Sequence, residues 1–161
     1  MGLLQPYVRH CGGHGKTRLI EQLVASTLKV IEVTNPIQAT AAVNAAVAIR
    51  TPLMLISAEG AAAYAGPSWF AHLVKDARAQ FPGASILATL DCGDHPGLAL
   101  AALREGIACV RIGGPAFDKV ADIAAQLDAQ AIQARPALLS LSDIRQEPEF
   151  LLAACENWLR G

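Results

Sequence analysis

The sequence predicts an α/β fold built on a parallel sheet of about five strands. Three observations carry that expectation. Short apolar runs alternate along the chain with segments of helical periodicity. The run PLMLIS at 52–57 is almost continuously apolar, as strands buried on both faces are. Residues 84–114, ASILATLDCGDHPGLALAALREGIACVRIGG, form one strand–helix–strand unit, and such a crossover forces its two strands to be parallel.

Each element has a local reason. Residues 1–16 (MGLLQPYVRHCGGHGK) are irregular, and over 17–26 Leu19, Ile20, Leu23 and Val24 share one helical face. Residues 28–33 are rich in β-branched side chains and predict the first strand. Asn35 then caps a helix that opens on Pro36 and runs to about Arg50. The second strand is 52–57, followed by a small-residue loop over 59–66. Ser68 starts a helix whose inner face is Phe70, Leu73, Val74, Ala77 and Phe81, stopped by Pro82 and Gly83. In the central unit, a strand ends at Asp91, a helix opens on Asp94, His95 and Pro96 and closes at Gly106, and a fourth strand runs over 107–112. Pro115 begins a helix with Phe117, Val120, Ala124 and Leu127 inward. Residues 137–141 are the fifth strand, and 148–159 a last helix with Leu151, Ala154, Cys155 and Trp158 in register.

This organisation makes 1–161 a single (β/α) domain with 1–16 as a leader. A complete eight-stranded barrel needs roughly 200–250 residues or more. The chain is therefore expected either to be a half-barrel that closes through a partner chain, hence a homo-oligomer, or to open into a doubly wound sheet.

Composition excludes several function classes. The chain has 161 residues, is 53% hydrophobic and only 17% charged, which rules out disorder. Thirteen basic against 14 acidic residues leave no basic stripe, so no nucleic-acid partner is expected. No apolar run approaches the ~18 residues of a membrane span, so no membrane partner is expected. Cys11, Cys92, Cys109 and Cys155 form no CxxC pair. With no basic-then-apolar opening segment, they read as reduced thiols of a cytoplasmic protein.

The residues that follow the strands are Thr34 and Asn35, Ser57 and Glu59, Asp91 to Gly93, Gly113 and Gly114, then Ser140, Ser142 and Asp143. A parallel sheet gathers all of these at one edge, where they can form a polar rim around a small-molecule ligand. Each is equally the ordinary polar residue of a strand-to-helix turn. Two charges, Glu32 and Arg111, fall inside strands. Lone buried charges are costly, so each needs a partner, either the other or a subunit across an interface, unless it faces solvent at a sheet edge.

Thr34 and Asn35 after the first strand, PLMLISAEGAAAYAG at 52–66, LDCGDHPGLAL at 90–100 and the segment 106–114 resemble the class II fructose-bisphosphate and tagatose-bisphosphate aldolases. The resemblance covers about 28–132, in the order of the first four βα units of that barrel. It implies a zinc-dependent barrel enzyme that cleaves a carbon–carbon bond, with Asp91 as the catalytic acid/base. It also implies a small carbonyl or sugar-phosphate ligand lined by Asn35, Ser57, Glu59, Gly93, Gly113 and Gly114. The metal positions depart from the family pattern. Cys92 stands where the family has a zinc-binding His, Thr89 where it has another His, and Gly113, Gly114 and Pro115 where it has Asp-Gly-Ser. Zinc needs about three protein ligands and an open position. Cys92 and His95 offer at most two, so zinc-dependent cleavage is expected to be weakened or lost. The plain alternative for Cys92 is a small buried thiol, and for Asp91 a cap on the following turn. A non-catalytic interaction module is the competing function.

A second motif is HCGGHGKT at 10–17. The stretch from Gly12 to Thr17 resembles a phosphate-cradling P-loop with Lys16 and a hydroxyl, though His10 replaces the leading Gly. It suggests a small nucleotide binder. His10, Cys11 and His14 could alternatively catch a metal, or be an accident of a glycine-rich leader.

Overall fold

The computed structural model describes residues 28–161. The leader, the helix expected at 17–26, the P-loop-like stretch and the His10, Cys11, His14 trio lie outside the described residues. The order is β1 (Lys29–Val33), α1 (Pro36–Ile49), β2 (Leu53–Ser57), α2 (Ala61–Tyr64), α3 (Pro67–Gln80), β3 (Ile86–Asp91), α4 (Pro96–Arg104), β4 (Cys109–Arg111), α5 (Phe117–Gln126), β5 (Gln130–Ile132), β6 (Leu139–Ser140) and α6 (Pro148–Arg160). The expected parallel α/β class is what the chain adopts. All pairings are parallel, in one sheet of order β5-β4-β3-β2-β1-β6.

Three details differ from expectation. The loop at 59–66 contains the one-turn helix α2, formed where three alanines favour a helix and Gly60 enters it with φ of 66°. A further strand, β5, follows α5. Its three residues are too few to show a period, so the sequence hides it. Leu127, expected inward, is half exposed, because the helix ends at Gln126 and Asp128 turns with φ of 54°.

The helices lie in one continuous row, α6, α1, α3, α4, α5, each touching the next. They cover one face of the sheet through Ile31, Val33, Leu53, Leu55, Leu90, Val110 and Ile112. Helix α1 is alanine-rich and buries Ala39, Ala41, Ala42, Ala45 and Ala46, which lets its neighbours approach closely. Phe70 of α3 is the largest fully buried side chain.

Among the described residues, no helix packs on the other face. Val30, Met54, Ile56, Leu87 and Cys109 nevertheless form a second buried cluster, joined only by Leu28, Ala108, Ile132 and Leu138. Twisted strands coil a sheet, and this one curves about that cluster. Chain connectivity requires the same. In a flat sheet the end of β5 and the start of β6 would lie about 26 Å apart, given strand spacings near 4.8 Å and a rise of ~3.3 Å per residue. The link 133–138 is bent at Gln133 and Ala134, and even fully extended its seven Cα steps span at most about 25 Å. The sheet is therefore curved, and one short link joins its two edge strands.

The register shows how far. From Gln130 the pairing runs through Cys109, Thr89, Ile56 and Glu32 to Ser140. Ser140, on the opposite edge strand, is ten residues further along the same chain (140 − 130), and the two edge strands are not paired with each other. Segment 130–140, the seam, carries the chain from one edge strand of the curved sheet, β5, to the other, β6.

Candidate functional site

The C-terminal ends of the strands form the mouth of the curved sheet. Alternation along β3 turns Leu87, Thr89 and Asp91 to the inner face and Ala88, Leu90 and Cys92 to the outer core. Asp91 is fully buried. Its Oδ1 accepts from the backbone N–H of Gly60 at 3.0 Å and of Gly93 at 2.9 Å. Its Oδ2 accepts from Arg135 Nη1 at 2.7 Å, and Arg111 Nη1 lies 3.5 Å from Oδ1. The Ser57 hydroxyl oxygen accepts from Asp91 N at 2.9 Å.

Arg135 rises from the seam and crosses the mouth. Its Nη2 donates to Glu32 Oε2 and, at 3.0 Å, to the carbonyl of Ser57. Glu32 Oε1 accepts from the Ser140 hydroxyl at 2.9 Å. Arg111 Nε donates to the carbonyl of Gln133 at 3.1 Å. One guanidinium thus ties β1, β2 and β3 to the seam. The cluster holds two carboxylates and two guanidiniums, so its charges balance. Arg111 and Arg135 are each 19% exposed and Glu32 15%, so the cluster meets solvent through them. Glu32 and Arg111 find the partners their position in strands demanded, within the chain and through Arg135 and Asp91 rather than with each other.

Of the residues singled out in the sequence, Ser57, Asp91 and Gly93 meet at this mouth. Gly93 has φ of 59°, which lets its N–H turn back to the carboxylate. Gly113 adjoins them: its N–H donates to Gly93 O at 2.7 Å, and a Cβ there would touch Arg111 Nη2 at 3.5 Å. Gly114, with φ of 76°, packs against Asp94. Asn35 lies at the same edge, but its side chain caps α1 by accepting from Gln38 N at 2.9 Å. Its amide reaches Gln146 at 3.5 Å. Glu59 is exposed.

Cys92 is buried and His95 is exposed. Cys92 Sγ lies in the outer apolar core, against Leu90 O at 3.6 Å. Burial first, then the charge of Asp91 and the neighbouring Cys109, push its thiol up to about 12. His95 is mostly exposed beside Asp94. Among the described residues, no three His, Cys, Asp or Glu side chains converge as a metal set.

Arg135 is the residue that sequence reasoning missed. It is the lone charge in residues 129–142 and precedes Pro136, a detectable signal once β5 is recognised as a strand. Among the described residues, no helix is long and apolar enough to cross a membrane.

No family model matches this chain, and no curated protein does. Solved structures do. The chain is similar to a putative fructose-1,6-biphosphate aldolase from Coccidioides immitis, with a TM-score of 0.54 and 15% identity over 71% of this chain and 48% of that one. It is also similar to the YdjI aldolase from Escherichia coli K12, with a TM-score of 0.54 and 18% identity over 78% of this chain and 50% of that one. The chain spans about half the length of these aldolase structures. At such identities the likeness is one of fold, and the fold of this chain is an aldolase-like parallel α/β architecture.

Proposed function

We propose that this protein is an aldolase-like barrel that binds a small carbonyl or polyhydroxyl ligand at its mouth without zinc-dependent cleavage. The observation that carries this reading is the state of Asp91. A general base needs a free lone pair directed at the substrate proton, and Asp91 has both oxygens engaged by two backbone N–H groups and two guanidiniums. Among the described residues, no ligand set gathers at the mouth for the metal that would stabilise an enolate. What the mouth offers instead is hydrogen bonding from partly exposed arginines and peptide groups.

Charge balance favours the uncharged one of the two ligand types suggested by the aldolase resemblance. A phosphate dianion would add two negative charges to a neutral cluster, and both arginines already hold carboxylates. A neutral carbonyl or hydroxyl compound gains hydrogen bonds without disturbing those pairs. The test is a thermal-shift titration of the full chain with dihydroxyacetone and, separately, with fructose 1,6-bisphosphate, alongside a cleavage assay and metal analysis. Stabilisation by dihydroxyacetone that is lost in Arg111→Gln, with no cleavage, is the expected result. Stabilisation by the bisphosphate alone, or cleavage that tracks bound zinc, overturns the reading.

The saturated Asp91 also favours a second reading, a non-catalytic interaction module in which the cluster serves only to close the barrel. It predicts no shift with either compound and self-association of the chain in light scattering.

A further inference from the structure

The row of helices on the outer face has a gap beside α4. That helix has nine residues against 14 in α3, so it is about 7–8 Å shorter. After it the chain turns at Gly106, with φ of 85°, into β4. Between α3 and this turn lies a cavity of about 400 Å³, within the size range of small-molecule sites. Val74, Ala88 and Ile107 form its floor, and all three are buried and apolar. Ala88 belongs to the outer core, so the cavity lies on the opposite side of the sheet from Asp91.

The rim of this cavity is charged. His72, Lys75 and Arg78 of α3 line it, each three residues from the next and so neighbours on the helix surface. Arg78 Nη2 donates to the carbonyl of Ile86 at 3.1 Å, which ties its guanidinium to the start of β3. His72 Nδ1 lies 2.7 Å from the carbonyl of Ser68. A carbonyl only accepts, so Nδ1 donates, and the neutral ring adds no charge. On the α4 side stands Glu105, whose carboxylate accepts from the Ser68 hydroxyl and so ties the end of α4 to the start of α3. Among the described residues, no carboxylate pairs with Lys75. The lining thus carries two cations against one carboxylate, where the mouth carries two against two.

An excess of one positive charge over an apolar floor selects an amphipathic anion. An apolar body gains by leaving water against Val74, Ala88 and Ile107. Its charged end can stay at the solvent edge, where Lys75 is exposed and the carboxylate need not be fully desolvated. An inorganic anion makes no use of the floor, and a neutral compound makes none of Lys75. We propose that this cavity binds a small organic monocarboxylate, with its carboxylate on the Lys75 ammonium and its apolar body against Ala88 and Ile107. The site shares no residue with the mouth and does not depend on what the mouth binds.

The test titrates the full chain with benzoate and follows backbone amide signals by nuclear magnetic resonance. Benzoate should shift the amides of Gly106, Ile107 and Ala108. Benzamide, of the same shape but uncharged, should bind about fivefold more weakly, the factor that one exposed ion pair supplies. Lys75 is exposed, so Lys75→Gln removes the charge without opening the core. That variant should bind benzoate about fivefold more weakly than the wild type and benzamide equally well. The proposal is overturned if benzoate leaves those three amides in place, if benzamide binds as tightly as benzoate, or if Lys75→Gln binds benzoate like the wild type. Shifts confined to Gly60 and Gly93 would put benzoate at the mouth and overturn it as well. Tighter binding of phenyl phosphate than of benzoate overturns the assignment to a monocarboxylate.

Discussion

The two faces of this sheet are filled in different ways. The outer face is apolar along its whole length, and a row of helices covers it. The inner face changes character along the strands: Val30, Met54 and Leu87 fill the base, and Glu32, Asp91, Arg111 and Arg135 close the mouth. The outer face can be built from many volume-conserving apolar sets. The mouth cannot, because each buried charge there depends on a particular partner. Stability should therefore respond gradually to outer changes that conserve volume, and abruptly to the loss of a single charge at the mouth.

The largest effect should come from emptying the outer core. Phe70→Ala removes the bulkiest fully buried side chain, and we expect a loss of about 3–5 kcal/mol in urea unfolding. Phe70→Leu should recover most of it. At the mouth, Arg135→Met keeps the length of the stem but removes the charge shared by Asp91 and Glu32. Truncating one partner of a buried pair costs about 3–5 kcal/mol. Partial exposure of Arg135 and Glu32 places this variant near 3 kcal/mol, with Asp91 still held by Arg111. If Arg135→Met costs less than 1 kcal/mol, the mouth is no more particular than the outer face.

The same contrast explains what the sequence made legible. The outer core was readable because its signals are local. Phe70, Leu73, Val74 and Ala77 recur at helical spacing, and Leu53 to Ser57 are buried at every position. The edge that gathers Ser57, Asp91 and Gly93 followed from parallel pairing. What stayed hidden depends on how the sheet rolls. Arg135 is far in sequence from Glu32 and Asp91, and only closure of the seam brings it over them. Cys92 stands where the resembled family has a zinc-binding His, and alternation along β3 turns it to the face opposite Asp91, which a motif read along the chain does not show.

Alkaline pH separates the faces in another way. Burial raises the thiols of Cys92 and Cys155 to about 12 and that of Cys109 to about 11. An unfolded thiol ionises near 8.5–9. Below that pH both states keep their protons and the thiols do not affect stability. Above it the unfolded chain loses protons that the folded chain retains, so stability falls as pH rises from about 9 towards 12. With three such thiols the slope approaches about 4 kcal/mol per pH unit. Cys155→Ala, on the outer side, should reduce that slope by about one third without moving the stability at pH 7 by more than a cavity's cost. A slope that does not change from pH 8 to 10.5 would mean that these thiols are reachable by water.

The smallest predicted effect concerns the rim, where function and capping compete for one residue. Asn35 stands at the edge that would line a ligand, but its Oδ1 is the N-cap of α1 and its amide meets Gln146. Losing a cap costs about 1 kcal/mol, whereas replacing it with Ser or Asp costs little. Asn35→Ala should therefore lower stability by about 1 kcal/mol, and Asn35→Asp should leave it nearly unchanged. A ligand-lining role makes a different prediction for the same pair: both variants would weaken the dihydroxyacetone-dependent thermal shift, since neither keeps the amide donor. If Asn35→Asp keeps both its stability and its ligand shift, Asn35 belongs to the helix, and ligand recognition at the mouth falls to Arg111, Arg135 and the peptide groups around Gly93.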